Sequence, residues 1–179
     1  MVRLIEVVPY NPRWRVLFEG VASELIEVFG EEVVAIHHVG STAIPNISAK
    51  PIIDVLVEVW CIERIDEFDP KMAERGYLPK GEFGIRGRRF FIKGDEEQRT
   101  HHIHVFQTGN PEVERHIAFR DHMIAHPEEA EAYSRLKEKL ARRFPHDIEG
   151  YMAGKDEFIK KIERKARVWK NRRDKTESC

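Results

Sequence analysis

The sequence predicts an α/β (α+β) protein: a small mixed sheet with flanking helices, followed by a helical C-terminal part. Three observations carry this. Two apolar runs, VVAIHHV from Val33 and IIDVLVEV from Ile52, flank the segment GSTAIPNISAKP that begins at Gly40. A second pair of strand-like runs, Arg88 to Lys93 and Thr100 to Gln107, sits on either side of a polar turn at Gly94 and Asp95. From Asn110 onward the apolar spacing changes to a helical period.

Taken in order, the opening Val2 to Val8 is rich in β-branched residues and reads as a strand. Asn11-Pro12 is a helix start, with Asn11 placed to cap and Pro12 pre-set for the first turn. Trp14, Leu17, Phe18, Val21, Leu25 and Val28 recur at helical spacing, and Gly30 is a natural stop. The run from Val33 is a strand ending at Gly40, and the run from Ile52 is apolar enough to be buried on both faces. Ile62 to Gly76 reads as helical, and the two later strand runs form a hairpin. Asn110-Pro111 opens the helical part, and His126-Pro127 and Phe144-Pro145 mark boundaries within it. No linker composition or repeat interrupts the chain. The expectation is one unit over 1–179, with 1–109 as the α/β core and 110–179 packed on it as helices.

A chain of 179 residues can bury a sizeable core without covalent staples. Its two cysteines, Cys61 and Cys179, form no disulfide framework, and the start MVRLIEVVPY lacks a basic segment followed by an apolar one. A reducing, cytoplasmic setting is expected. No apolar run approaches the roughly 18 to 20 residues that span a bilayer, so no membrane partner is expected. The formal net charge of −1 excludes a global field for nucleic acid, so any polyanion site must be local. The late basic run Lys160, Lys161, Arg164, Lys165, Arg167, Lys170, Arg172 and Arg173 is interleaved with Glu163 and reads as a solvated helix face.

The local anion candidate is the turn Gly40-Ser41-Thr42 at the end of the first central strand. Glycine admits close backbone approach, and the following amides and hydroxyls can face phosphate oxygens. Asp54, on the next strand, could hold a cation bridging to the same phosphates. The alternative is a tight turn with a capping serine and a buried aspartate bonded to nearby amides. A carboxylate within IIDVLV must be paired or functional in either case. In THHIHV, strand alternation puts His102 and His104 on one face, where they can converge on a metal or a phosphate, and His101 on the other. His38 adjoins the turn and His37 points the opposite way. Arg120 is the best second anion contact in the helical part, since a guanidinium grips phosphate bidentately. Arg86, Arg88, Arg89 and Lys93 form a closer basic group that could cover a triphosphate or dress an exposed strand. Tyr133, Lys137, Lys155 and Phe158 could reach over the cleft, although such residues are usually interhelix ion pairs and core aromatics.

The segments YNPRW, GSTAIP, AKPIIDV, THHIHV, FRDHM, AYSRLK and YMAGKDEFI together resemble the GrpB-like family over nearly the whole chain. The resemblance implies a sheet of nucleotidyltransferase type, and a link to coenzyme metabolism through family members joined to dephospho-coenzyme A kinase. The wider superfamily has a Gly-Ser turn, a strand carrying two alternate carboxylates, and a third carboxylate on a later strand. Gly40, Ser41 and Asp54 match. Leu56 stands at the second carboxylate position, and His102 and His104 occur where the third acid is expected. Glu58 shares the face of Asp54 but lies too far along the strand to substitute.

One carboxylate with two imidazoles favours zinc or manganese over magnesium, or no metal. Two readings follow. In the first, a nucleoside triphosphate lies on Gly40, Ser41, Thr42 and Lys50, with Arg89 or Arg120 completing the phosphate site. Asp54, His102 and His104 then serve catalysis and metal binding, and a nucleotidyl group passes to a small molecule or protein. In the second, the missing carboxylate marks lost chemistry, leaving a module that binds a nucleotide, a coenzyme fragment or another protein.

Overall fold

The computed structural model describes residues 3–95 and 97–178. Its strands are β1 (Val33–Val39), β2 (Ile53–Val59), β3 (Tyr77–Pro79), β4 (Arg88–Gly94) and β5 (Arg99–Gln107). They form one mixed sheet in the order β1-β2-β5-β4-β3, with β2 and β5 parallel at its centre and the other neighbours antiparallel. The helices are α1 (Arg13–Phe29), α2 (Asp69–Glu74), α3 (Pro111–Ala125), α4 (Pro127–Arg143) and α5 (Ile148–Glu177). None of them is long and apolar enough to cross a membrane.

Local chemistry sets the helix ends. Asn11 Oδ1 accepts the Arg13 N–H at 3.0 Å at the start of α1, and Gly30, at φ +55°, ends it. Asn110 Oδ1 accepts the Glu112 N–H at 2.9 Å and opens α3 in the same way. The apolar stripe of α1, including Trp14, Val21 and Leu25, packs on the sheet face made by Val55, Val57, Ile103 and Val105. Full burial of a side chain such as Leu25 is worth about 1.5–3 kcal/mol. The opposite face, with Val39, Leu56 and Phe106, takes Val113 and Ile117 of α3.

Between β1 and β2, the connection 40–52 is held by the helical part. Ile44 and Ile47 pack with Met123, Tyr133 and Ile162. Ser134 Oγ accepts the Ser48 N–H at 2.8 Å, Ser48 Oγ donates to Glu138 at 2.6 Å, and the Lys137 ammonium donates to the Ser48 carbonyl. Helix α4 thereby fixes the connection that carries the Gly40 turn.

Three expectations change. The opening segment is not a strand of the sheet. Val8 makes a single bridge with Ala49, and Ile5 and Val7 pack with Leu140 and Tyr151, so their apolar character serves a contact with α4 and α5. The stretch from Ile62 is broken into a 3₁₀ segment, Ile62–Phe68, and the short α2, because Pro70 lacks the N–H that a continuous helix needs. Strand β3 is only three residues long and sits at the sheet edge, too short to leave a period. Val2 and Cys179 lie outside the described residues.

Candidate functional site

Register decides which side chains meet. Asp54 on β2 is level with Val39 on β1 and His102 on β5, and Leu56 is level with His104. Paired residues share a face, so Asp54, Leu56, His102 and His104 all project to the α3 side. The contacts follow: His104 Nε2 lies 3.0 Å from Asp54 Oδ1, and His102 Nδ1 lies 3.5 Å from the same oxygen. Burial acts to raise the Asp54 pKa, but the hydrogen bonds from His102 and His104 outweigh it and hold this carboxyl well below the usual range.

Arg88, buried on the same face, reaches His104 Nδ1 at 3.3 Å and donates to the Phe83 carbonyl at 2.7 Å. A guanidinium only donates, so Nδ1 must accept and the ring hydrogen sits on Nε2, directed at Asp54. One potential ligand atom from each of Asp54, His102 and His104 lies within 4.8 Å of the others, which fits one divalent ion of the kind that takes nitrogen ligands. Such an ion would replace the proton that His104 now shares with Asp54. Leu56, fully buried against Phe106, cannot add a ligand. Glu58 is engaged elsewhere, accepting from His37 at 2.6 Å and from Thr108 at 3.2 Å.

The turn closes on this group. Gly40 has φ +73°, and a Cβ there would lie 2.7 Å from Asp54 Oδ2, so backbone conformation and space both require glycine. Thr42 Oγ1 is 2.9 Å from His38 Nε2, and the His38 ring stacks on Phe18. Burial pushes His38 down to about 4, so its imidazole is neutral near pH 7.

Ser41, Thr42, Lys50, Asp54 and His102 line a cavity of about 200 Å³ whose other wall is Lys137 on α4 with Tyr151, Met152 and Lys155 on α5. Lys137 lies 4.5 Å over the Tyr133 ring, and Lys155 lies 4.8 Å over the Tyr151 ring. Among the described residues, none of Lys50, Lys137 and Lys155 is in an ion pair with a carboxylate. Burial, then the neighbouring Lys155, pushes Lys137 down to about 7; burial, then Lys50, pushes Lys155 down to about 8. Lys50 is lowered by burial and by Arg3. Two buried polar atoms of cavity-lining residues, Tyr151 Oη and His102 Nε2, have no hydrogen-bond partner among the described residues.

Of the residues expected from sequence, the structure thus gathers Gly40, Ser41, Thr42, Lys50, Asp54, His102 and His104. Arg120 is adjacent but occupied, donating to the His38 carbonyl at 3.1 Å and to Asp121 at 2.8 Å, and it does not line the cavity. Arg89 is not brought in. It takes the opposite face of β4 and pairs with Asp66 at 2.6 Å. Lys137 and Lys155, which the sequence left either reaching over the cleft or in interhelix ion pairs, line the cavity and have no ion pair with a carboxylate among the described residues. The signal for them was present, since Tyr-x-x-x-Lys occurs twice, at Tyr133/Lys137 and Tyr151/Lys155, one helical turn apart in each case.

The sequence pattern of the GrpB protein family matches residues 4–165. The chain is 50% identical over 172 residues, 96% of its length, to UPF0157 protein YqkA of Bacillus subtilis, and spans half of that protein. It is 24% identical over 189 residues to a dephospho-CoA kinase of Mycolicibacterium paratuberculosis, spanning 92% of this chain and 46% of that protein. The crystal structure of the conserved protein GrpB from Enterococcus faecalis superposes with a TM-score of 0.88 at 43% identity, over 92% of this chain and 99% of that one. A more distant likeness, with a TM-score of 0.42 at 8% identity over 69% of this chain and 42% of the other, is to the Cid1 poly(U) polymerase.

Proposed function

The chain belongs to the GrpB family, and on that premise we propose that it binds a nucleoside triphosphate, or a related phosphorylated ligand, in the cavity between the Gly40 turn and helices α4 and α5. One observation supports this above all: the buried Lys137 and Lys155 and the half-buried Lys50, with no carboxylate partner among the described residues, share one chamber with the single acid Asp54. Packing ammonium groups together out of water is unfavourable unless an anion joins them. A polyphosphate supplies the missing charge, and the turn at Gly40, Ser41 and Thr42 offers it backbone and hydroxyl contacts. The setting proposed is the cytosol, where such ligands occur.

Within this reading, nucleotidyl transfer to a small molecule or protein is the reaction. Asp54, His102 and His104 would hold a divalent ion that neutralises charge on the phosphates. Lys137 and Lys155 would bind the polyphosphate oxygens, and the ion would keep Asp54 charged in place of its imidazole bonds. A second reading, binding without transfer, has its own support in Leu56: the place of a second carboxylate is filled by fully buried core. Titration of the protein with tripolyphosphate and with the four common nucleoside triphosphates tests the site. Micromolar binding that is lost in Lys137→Met is expected, and absence of binding by every one of these ligands would remove the proposal. Labelled triphosphate incubated with zinc, manganese or magnesium and a mixture of hydroxyl-bearing small-molecule and protein acceptors then separates the readings, since only transfer releases pyrophosphate and leaves the label on an acceptor.

A further inference from the structure

Lys50 stands between two cavities. Lys50 and Ile52 also line a second cavity of about 520 Å³, bounded by the N-terminal segment at Arg3 to Glu6, the start of β5, and Ile148. Arg3, Lys50 and Arg99 meet there, against the two acids Glu6 and Glu97. These cations press on one another. Arg3 is lowered first by burial and then by Arg99, with Asp95 opposing, and Lys50 is lowered by burial and then by Arg3. The Arg99 Nε is buried and has no hydrogen-bond partner among the described residues. At the rim, Leu4 and Ile148 are 57% and 47% exposed, unusual for large apolar side chains beside so polar a groove.

We propose that the two cavities form one continuous site, and that its ligand carries a second anionic group, apart from the polyphosphate, held by Arg3 and Arg99. This rests on the phosphate reading of the inner cavity. The shared lysine makes the continuity, since Lys50 can face an anion on either side. Guanidinium groups match a terminal phosphate or carboxylate bidentately, whereas the inner lysines act as point charges suited to a chain of phosphoryl groups. Leu4 and Ile148 would cover an apolar or aromatic stretch between the two anions. The substrate class is therefore a nucleotide with phosphates at two separated positions, rather than one with a single tail.

Calorimetric titration with inorganic tripolyphosphate, adenosine 5′-monophosphate and adenosine 3′,5′-bisphosphate tests this on the full chain and on Arg3→Ala, Arg99→Gln and Lys137→Met. The bisphosphate should bind the wild type about ten-fold more tightly than the monophosphate. Arg3→Ala and Arg99→Gln, which lie in different elements, should each remove most of that advantage while tripolyphosphate binding stays within about two-fold, which also reports an intact fold. Equal binding of the two nucleotides by the wild type, or an advantage that survives in both variants, overturns the outer subsite. If tripolyphosphate binds the wild type and is lost in Lys137→Met while no bisphosphate advantage exists, the inner reading stands and only this extension fails. If tripolyphosphate does not bind the wild type, both fall together.

Discussion

Helix α5 and its neighbour α4 present lysines in two very different settings. Lys137 and Lys155 are buried, 1% and 9% exposed, and face a cavity without an ion pair to a carboxylate among the described residues. Lys160, Lys165 and Lys170 lie on the outer surface, paired with Asp156, Glu129 and Glu114. The residue type is the same, and the energetics are opposite. An exposed pair is close to neutral, worth about 0–1 kcal/mol, whereas an unpaired buried ammonium is held against its solvation preference by the rest of the fold. The difference teaches that basic character in a sequence points to a ligand only where burial removes the water and packing withholds the carboxylate.

The largest expected effect breaks this comparison directly. Lys137→Met and Lys155→Met should each weaken tripolyphosphate binding by about 10- to 100-fold, the value of a charge-assisted hydrogen bond, while Lys160→Met and Lys170→Met should change it by less than about two-fold. Thermal unfolding of the ligand-free proteins sharpens the contrast. A methionine fills much of the lysine's volume without its desolvation cost, so Lys137→Met should melt no lower than the wild type despite losing the bond to the Ser48 carbonyl. A fall of several degrees would make Lys137 a structural strut and not a ligand contact.

A smaller effect contrasts two glycines. Gly40 and Gly30 both have positive φ, +73° and +55°, but an added Cβ meets Asp54 Oδ2 at 2.7 Å at Gly40 and nothing within 4 Å at Gly30. Gly30→Ala should cost about 1 kcal/mol in denaturant unfolding, the penalty of the left-handed conformation alone. Gly40→Ala should cost about 2–3 kcal/mol and also weaken anion binding, because Asp54 must shift. Equal costs at the two positions would mean that Asp54 and the turn are not tightly coupled.

Much of this was legible in the sequence, for stated reasons. Asn11-Pro12 and Asn110-Pro111 carry their own capping chemistry, and the alternation in THHIHV fixes His102 and His104 to one face whatever their neighbours. What sequence could not supply was register. The β4–β5 ladder shifts by one residue between Lys93 and Gly94. Extending the Gly94–Arg99 pairing without that shift would set Arg89 opposite His104; with it, Phe90 stands there, Arg89 turns to Asp66, and Arg88 joins the His104 side. The bulge sits at a glycine with φ +99°, where a Cβ would strike the Gln98 carbonyl, so Gly94 is visible in sequence while its consequence is not. The opening segment misled for a related cause. β-branched residues suit any pleated or packed surface, and here Ile5 and Val7 found helices α4 and α5 in place of a sheet edge.

The smallest expected effect distinguishes the lysines from the histidines by the sign of a pH dependence. Burial lowers Lys137 to about 7 and Lys155 to about 8 in the free protein. An anion binds the protonated forms and draws both values back up, so anion affinity should rise as pH falls from about 9 through about 7 and level off about one unit lower. The ligand-free fold should behave in the matching way. The unfolded chain, with lysine near 10.4, binds more protons than the native one in the window from about 7 to 10, so native stability should increase with pH across it. A metal held by Asp54, His102 and His104 runs the other way, because protons compete with it for the ligand atoms, and its affinity should weaken as pH falls. Sulfate keeps its charge throughout this range and is the cleanest anion probe; zinc serves for the metal. Sulfate affinity that stays flat between pH 9 and 7 would remove the lysines from the anion site, and zinc affinity unchanged down to pH 5.5 would remove the imidazoles from the metal site, so each titration can fail without the other.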